Sequence, residues 1–336
     1  MSKDKATNQK GFFALDKLKF YKACELSMNT AIAYLVICNG TARDNLFSSW
    51  SVNAIETYTG ISRGRAKTAV ENLIKYKIVK KVKSGKHPRY QVMDARKAKQ
   101  LKPKNIIWLP SGIVQSVSGE NSAIDRIRQT HELMLLRMFI DLYSVQNLAD
   151  DGGISRLVFA RVYKREKIAE QGIYDIYGFK NNNLTTTWDT EVTEIHRNYA
   201  LTEKEKLNGL NEANLFFNRI EMLISMGLVQ IIPHLFDNDT HEGEIIHSLK
   251  TEIANAAFNA ADTMVAEHHQ TRIDEFNLVV PVPRHFCKVA VLGIAQLRYK
   301  PKTKLTAIWY QKQSKQDSLA LSDLNNILEG SPSVKK

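Results

Sequence analysis

The stretch from Trp50 to Met93 constrains the fold of this chain more than any other part. It contains two short helical patterns separated by Gly60, a residue that readily forms a turn. Ser51 is placed to cap the first helix and Ser62 to cap the second. Apolar side chains recur along the second helix at i, i+3, i+4 and i+7, the spacing of one buried stripe. That stripe consists of Ala66, Ala69, Val70 and Leu73.

The opposite face of the second helix is polar and basic. It offers Ser62, Arg63, Arg65, Lys67 and Thr68 within the first two turns. A β-hairpin is predicted next, with strands over Ile78–Lys83 and Arg89–Met93 joined by a turn at Ser84–Pro88. The hairpin carries a dense set of ionisable side chains. They are Lys80, Lys81, Lys83, Lys86, His87 and Arg89.

This order of helix, tight turn, helix and basic hairpin resembles the winged helix-turn-helix family. The resemblance is carried by Ile55, Thr59-Gly60-Ile61-Ser62, Val70, Leu73 and Ile78-Val79. It implies that the second helix enters the major groove of double-stranded DNA, with the hairpin, or wing, on the neighbouring backbone or minor groove. The polar and basic side chains of the helix and the wing would then be the DNA contacts. Winged helices also dock proteins, so the alternative of an interaction module stays open.

The distribution of charge favours a polyanionic partner. The chain has 336 residues and a net charge of +12. Residues 1–104 contain 22 Lys and Arg against 7 Asp and Glu, whereas residues 105–336 contain 25 against 28. The positive excess therefore belongs to the segment with the helix-turn-helix pattern, which is the distribution expected of a nucleic-acid-binding domain.

The remaining chain is predicted to form a second domain over residues 105–313 and a tail over 314–336. Residues 212–236 repeat the order helix, break, strand seen at residues 66–82, which indicates a divergent second winged helix with an insertion. The predicted fold class is therefore α+β, mainly α with small β-wings, and residues 1–104 form the first winged domain with a basic arm. A second basic hairpin is predicted near residue 301 as a further DNA contact. It would present Arg298, Lys300, Lys302 and Lys304.

Motifs for catalysis, metal binding or membrane insertion are missing from the sequence. It contains no phosphate-binding G-x-x-x-x-G-K-[ST] and no G-x-G-x-x-G. His241 and His247 are six residues apart, too far to share the helical face that a metalloprotease pair needs. Three scattered cysteines and the lack of an apolar run of eighteen residues suit a cytoplasmic protein without a membrane span. The sequence predicts neither an enzyme nor a cofactor.

Two specific roles fit a DNA-binding protein of this kind. A transcription regulator would read an operator with its N-terminal domain and form a homodimer through its C-terminal half. Two winged helices in one chain would instead resemble plasmid and phage replication initiators, which bind origin repeats and recruit the replication machinery. The third alternative is a winged-helix interaction module of a larger defence or phage-encoded complex.

Overall fold

The computed structural model describes residues 11–85, 88–93, 105–116, 121–185, 199, 212–240, 242–265, 273–300 and 303–330. The chain divides into two compact units. Unit 1 comprises Met1–Val145 with Arg298–Thr303, and unit 2 comprises Gln146–Leu297 with Lys304–Lys336. The predicted boundary near residue 104 lies outside the described residues, and residues 105–145 belong to unit 1.

In its described residues, unit 1 combines six α-helices with two small antiparallel sheets. In chain order its elements are β1 (Phe12–Asp16), α1 (Lys17–Leu26), α2 (Met28–Asn39), β2 (Phe47–Ser48), α3 (Val52–Thr59), α4 (Arg63–Lys75), β3 (Lys80–Lys83), β4 (Arg89–Gln91), β5 (Ile106–Pro110), α5 (Ala123–Gln129) and α6 (Leu133–Leu142). Strand β1 pairs with β5, and the other sheet has the order β2-β4-β3.

Helix α2 is the core of unit 1. Every residue from Thr30 to Asn39 is buried, as expected for a helix that is apolar on all sides. The Ser27 hydroxyl accepts a hydrogen bond from the Thr30 amide at 3.1 Å and so caps the start of the helix. Helix α2 packs against α1 and α4, and the predicted stripe of α4 is buried. These contacts hold α4 to unit 1 by one face only.

Unit 2 is built on a six-stranded antiparallel sheet that curls into a half-barrel. Its elements are β6 (Gln146–Asn147), β7 (Gly153–Ile154), β8 (Ala160–Gln171), β9 (Tyr174–Thr185), α7 (Glu212–Ser225), β10 (Val229–Phe236), β11 (Ile245–Ser248), α8 (Thr251–Met264), β12 (Leu278–Pro283), β13 (Ala290–Leu297) and α9 (Lys304–Gly330). The sheet order is β11-β10-β13-β8-β9-β12. Helices α8 and α9 cover one face of it with a common apolar core.

The predicted fold class, mainly α with small wings and a second winged helix, is wrong. Helix α7 and strand β10 lie where the helix–strand repeat was predicted, but β10 is an inner strand of the large sheet. It pairs with β13 over eight residues, from Val229↔Leu297 to Phe236↔Ala290. A helix followed by a strand is a local pattern, and the sheet that a strand joins is decided by distant partners.

The second basic hairpin near residue 301 is also wrong. The sequence after residue 303 begins α9, a helix of 27 residues that also runs through the predicted domain boundary at residue 313. Aromatic and β-branched residues such as Ile308 and Trp309 favoured a strand. Their environment in the fold decides otherwise, because Thr306, Trp309 and Gln313 are buried at helical spacing. No described helix combines the length and the apolar composition needed to cross a membrane.

The free energy of unfolding of unit 2 should depend on pH because of His234, a fully buried residue of β10. Its Nδ1 donates to the Ile232 carbonyl at 2.8 Å, and burial lowers its pKa from the ordinary 6.5 to about 4. As pH falls, this histidine therefore takes up a proton in the unfolded chain before it does so in the folded chain. The free energy of unfolding should decrease by about 3 kcal/mol as pH falls from about 6.5 towards 4. We expect His234→Phe to flatten the pH profile of unfolding free energy in this window.

Chemical denaturation at a series of pH values measures this effect. His285→Gln is the matched control, because His285 is exposed in the same unit. A His234→Phe profile parallel to that of the parent would contradict the prediction.

Candidate nucleic-acid interface

The turn between α3 and α4 has the geometry that the sequence predicts. Gly60 adopts φ 63°, in the left-handed region that favours glycine, and its amide donates to the Glu56 carbonyl at 3.0 Å. Ile61 is 2% exposed and its amide donates to the Thr59 hydroxyl at 3.3 Å. The turn is therefore anchored by a buried side chain and closed by local hydrogen bonds.

The five residues predicted for the exposed face of α4 lie together at its N-terminal end. Ser62, Arg63, Arg65, Lys67 and Thr68 are all exposed, opposite the buried stripe. Ser62 is the N-cap residue of α4, as predicted, but its hydroxyl makes no cap hydrogen bond. Ser51 likewise makes none at the start of α3. Both hydroxyls are thus available to other donors or acceptors.

The two arginines at the start of α4 differ in their surroundings. Arg63 donates to the Asn53 side chain at 2.8 Å and lies 3.7 Å from the Glu56 carboxylate, so it links α4 to α3. Arg65 is exposed and has no hydrogen-bond or ion-pair partner within the described ranges. Arg65 is therefore ready to contact a ligand, whereas Arg63 must first exchange its partners on α3.

The β3–β4 hairpin, which follows α4 in the sequence, carries a row of lysines. Lys80, Lys81 and Lys83 are exposed on β3, which pairs with β4. Arg89 on β4 is also exposed, and its guanidinium lies 4.7 Å from the centroid of the Phe47 ring. The stacking orders Arg89 without neutralising it. Lys86 and His87 lie outside the described residues.

The local electrostatics of this region are strongly positive. Residues 47–93 contain ten Lys and Arg and only two acidic residues, Glu56 and Glu71. Glu71 is 4.0 Å from Lys67, and both side chains are mostly exposed, so this ion pair contributes little. The positive charge of the region therefore stays largely uncompensated within the folded unit.

The three described residues of the predicted second hairpin are divided between the two units. Arg298 and Lys300 lie in the connector counted with unit 1, and Lys302 lies outside the described residues. Lys304 is the first residue of α9 in unit 2. The connector is held by its backbone, since the Tyr143 hydroxyl donates to the Tyr299 carbonyl at 2.9 Å.

Sequence reasoning missed two side chains that contact the turn before α4. They are Ser122 and Arg128, which donate hydrogen bonds to backbone carbonyls at the end of α3. The pattern Ser122-x-x-Asp125 is typical of a helix start, and Ser122 does accept from the Asp125 amide. The pattern predicts a helix there but not the element against which that helix packs.

Within the described ranges, no group of three or more His, Cys, Asp and Glu side chains could hold a metal ion. His247 is buried with its Nδ1 donating to the Ser248 carbonyl at 2.8 Å, and burial lowers its pKa. Cys24 and Cys38 are buried, and burial raises the pKa of each thiol to about 12. Such thiols are poor nucleophiles at neutral pH.

Searches of protein-family models, of curated proteins and of solved structures found no match to this chain.

Proposed function

We propose that this protein binds double-stranded DNA sequence-specifically and acts as a transcription regulator in the cytoplasm, without a cofactor. Helix α4 would enter the major groove, and the β3–β4 hairpin would lie along the neighbouring phosphates. The observation that supports this is the polarity of α4. Its stripe is buried in unit 1, and Arg63, Arg65 and Lys67 project from its exposed first turns.

The residue types suit the two kinds of contact that DNA binding requires. An arginine at the start of a helix in the groove can donate two hydrogen bonds to one guanine. Exposed lysines on a neighbouring hairpin neutralise phosphates, which positions the protein without reading sequence. Both kinds of residue occur within residues 47–93, in the order helix and then hairpin.

Among the alternatives, the replication initiator loses its main support. That alternative depended on a second winged helix. Residues 212–236 instead form α7 and β10, and β10 is an inner strand of the large sheet. A dimerising role for the C-terminal half remains part of the regulator proposal. Protection of a single promoter site, rather than of iterated repeats, in a footprint on DNA flanking the gene would favour the regulator.

Selection from a random duplex library tests DNA binding directly. The full chain is incubated with the library, and the retained duplexes are amplified and sequenced over several rounds. We expect a common motif of several base pairs. Retention without enrichment of any motif would contradict sequence-specific binding, and no retention at low salt would contradict DNA binding altogether.

The salt dependence of binding should separate a DNA-binding hairpin from a protein-docking one. If Lys80, Lys81 and Lys83 contact phosphates, log K falls with log salt by about 0.9 for each contact. Replacing all three by Gln should therefore make this slope shallower by roughly two to three units, with affinity lowered alike for all sequences. Fluorescence anisotropy over a salt series measures the slope.

The matched control removes three lysines elsewhere. Lys288, Lys312 and Lys315 are exposed in unit 2, and their replacement by Gln changes net charge by the same amount. The control slope should equal that of the parent. A parental slope in the β3 variant would show that the hairpin does not contact phosphates.

A further inference from the structure

Two side chains from the α5 region hold the C-terminal end of α3. The Ser122 hydroxyl donates to the Tyr58 carbonyl at 2.9 Å, and the Arg128 Nε donates to the Thr59 carbonyl at 3.1 Å. Carbonyls in the last turn of a helix lack partners within that helix. A guanidinium at this end also interacts favourably with the helix dipole. The contacts therefore stabilise the last turn of α3.

The Arg128 guanidinium is itself fixed in place. Its Nε and Nη2 lie 3.0 Å and 2.8 Å from Asp125 Oδ1, and the Gln129 amide donates to Asp125 Oδ2 at 3.1 Å. The Arg128 side chain is 23% exposed and that of Asp125 is 10% exposed. Because the pair is largely shielded from solvent, salt screens it weakly. Arg128 can then serve as a rigid support.

This support acts on the residues that set the direction of α4. Thr59 is followed by Gly60, and a Cβ added at Gly60 would lie 3.7 Å from Arg128 Nη2. Ile61 and Ser62 then lead into the first residue of α4. A shift of the Thr59 carbonyl would therefore rotate the turn and move the exposed start of α4.

We infer that Arg128 and Ser122 are positioning residues that set the orientation of α4 from outside the helix-turn-helix segment. The consequence for DNA rests on the proposed function. Phosphate contacts tolerate small changes of orientation, but bidentate contacts to base edges do not. Loss of the support should therefore reduce discrimination between sequences more than it reduces overall affinity.

Hydrogen exchange in the full chain without DNA tests the structural part. The double variant Asp125→Asn, Arg128→Gln removes the ion pair without leaving one buried charge alone. We expect exchange at the Gly60 and Ile61 amides to accelerate by about tenfold, with α1 and α2 amides unchanged. Parental exchange at the turn would overturn the inference.

Arg128→Lys decides the case if the double variant loosens all of unit 1. Lysine keeps the charge but cannot reproduce the two-donor contact with Asp125. Faster exchange confined to the turn supports the inference, and exchange equal to that of the parent overturns it.

Binding to a selected duplex and to an unrelated duplex tests the functional part. In Arg128→Lys the Kd for the selected duplex should rise by about tenfold and that for the unrelated duplex by less than about twofold. Arg43→Ala, which removes an exposed charge from the same unit, should leave the ratio of the two Kd values unchanged. A parental ratio in Arg128→Lys would overturn the positioning role. A parent that does not discriminate at all would instead refute the proposed function, and hydrogen exchange would still report on the support.

Discussion

Replacing Arg63 and Arg65 together by alanine is expected to abolish most sequence preference. Each bidentate contact of arginine with guanine contributes about 1–3 kcal/mol of discrimination, so the loss of two is a large effect. Both side chains lie on the exposed start of α4, and the helix remains anchored by its buried stripe. The variant should keep its fold and its weak, salt-dependent affinity for any duplex.

The single variants distinguish the loss of a base contact from a disturbance of the turn between α3 and α4. Arg63 also bonds Asn53 on α3, so its loss can disturb the turn, whereas Arg65 has no such partner in the described chain. Arg65→Ala is therefore the cleaner test, with Lys75→Ala at the other end of α4 as its control. Gel shifts with the selected and an unrelated duplex measure both affinities. Unchanged selectivity in the double variant would mean that α4 does not contact bases in the major groove.

The second large effect is expected in the core beneath the candidate interface. Leu73 is fully buried in the stripe of α4, and Leu73→Ala should lower the unfolding free energy of unit 1 by roughly 2–5 kcal/mol. The loss combines the transfer free energy of the deleted methyl groups with the cavity that they leave. Hydrogen exchange of α2 amides under denaturant measures it in unit 1 specifically, because α2 packs against α4.

Ile74→Ala is the control for this change on the same helix. Ile74 is only half-buried, so its truncation should cost less than that of Leu73. Equal exchange in the Leu73→Ala variant and the parent would mean that α4 does not depend on its stripe. A larger effect at Ile74 would mean that the helix is rotated about its axis.

The helix-turn-helix stretch of unit 1 could be predicted from the sequence to a large extent, since its information is local. The spacing of Ala66, Ala69, Val70 and Leu73 predicts the buried face of α4, and its exposed face follows by geometry. Gly60 identifies the turn because only glycine adopts its positive φ readily. What escaped prediction was the contact of Arg128 with Thr59, residues 69 positions apart.

The sheet of unit 2 could not be predicted in this way, because its strands pair with strands that are distant in the sequence. Strand β8 reads as a mixed polar segment, with Lys164, Glu166 and Lys167 exposed and only Ala160 and Ile168 buried. It becomes a strand by pairing with β9 on one side and with β13 on the other. The first partner is its neighbour in the chain, but the second lies more than a hundred residues away.

The sequence by itself was thus sufficient to predict α3, α4 and the turn at Gly60, and its composition places the excess of basic charge in residues 1–104. Only the tertiary structure decided which strands share the large sheet, that residues after Lys304 form a helix, and which side chains support the turn before α4. The physical reason is the sequence separation between backbone hydrogen-bond partners. A helix satisfies its backbone hydrogen bonds within four residues, whereas a strand satisfies them with partners that no local pattern specifies.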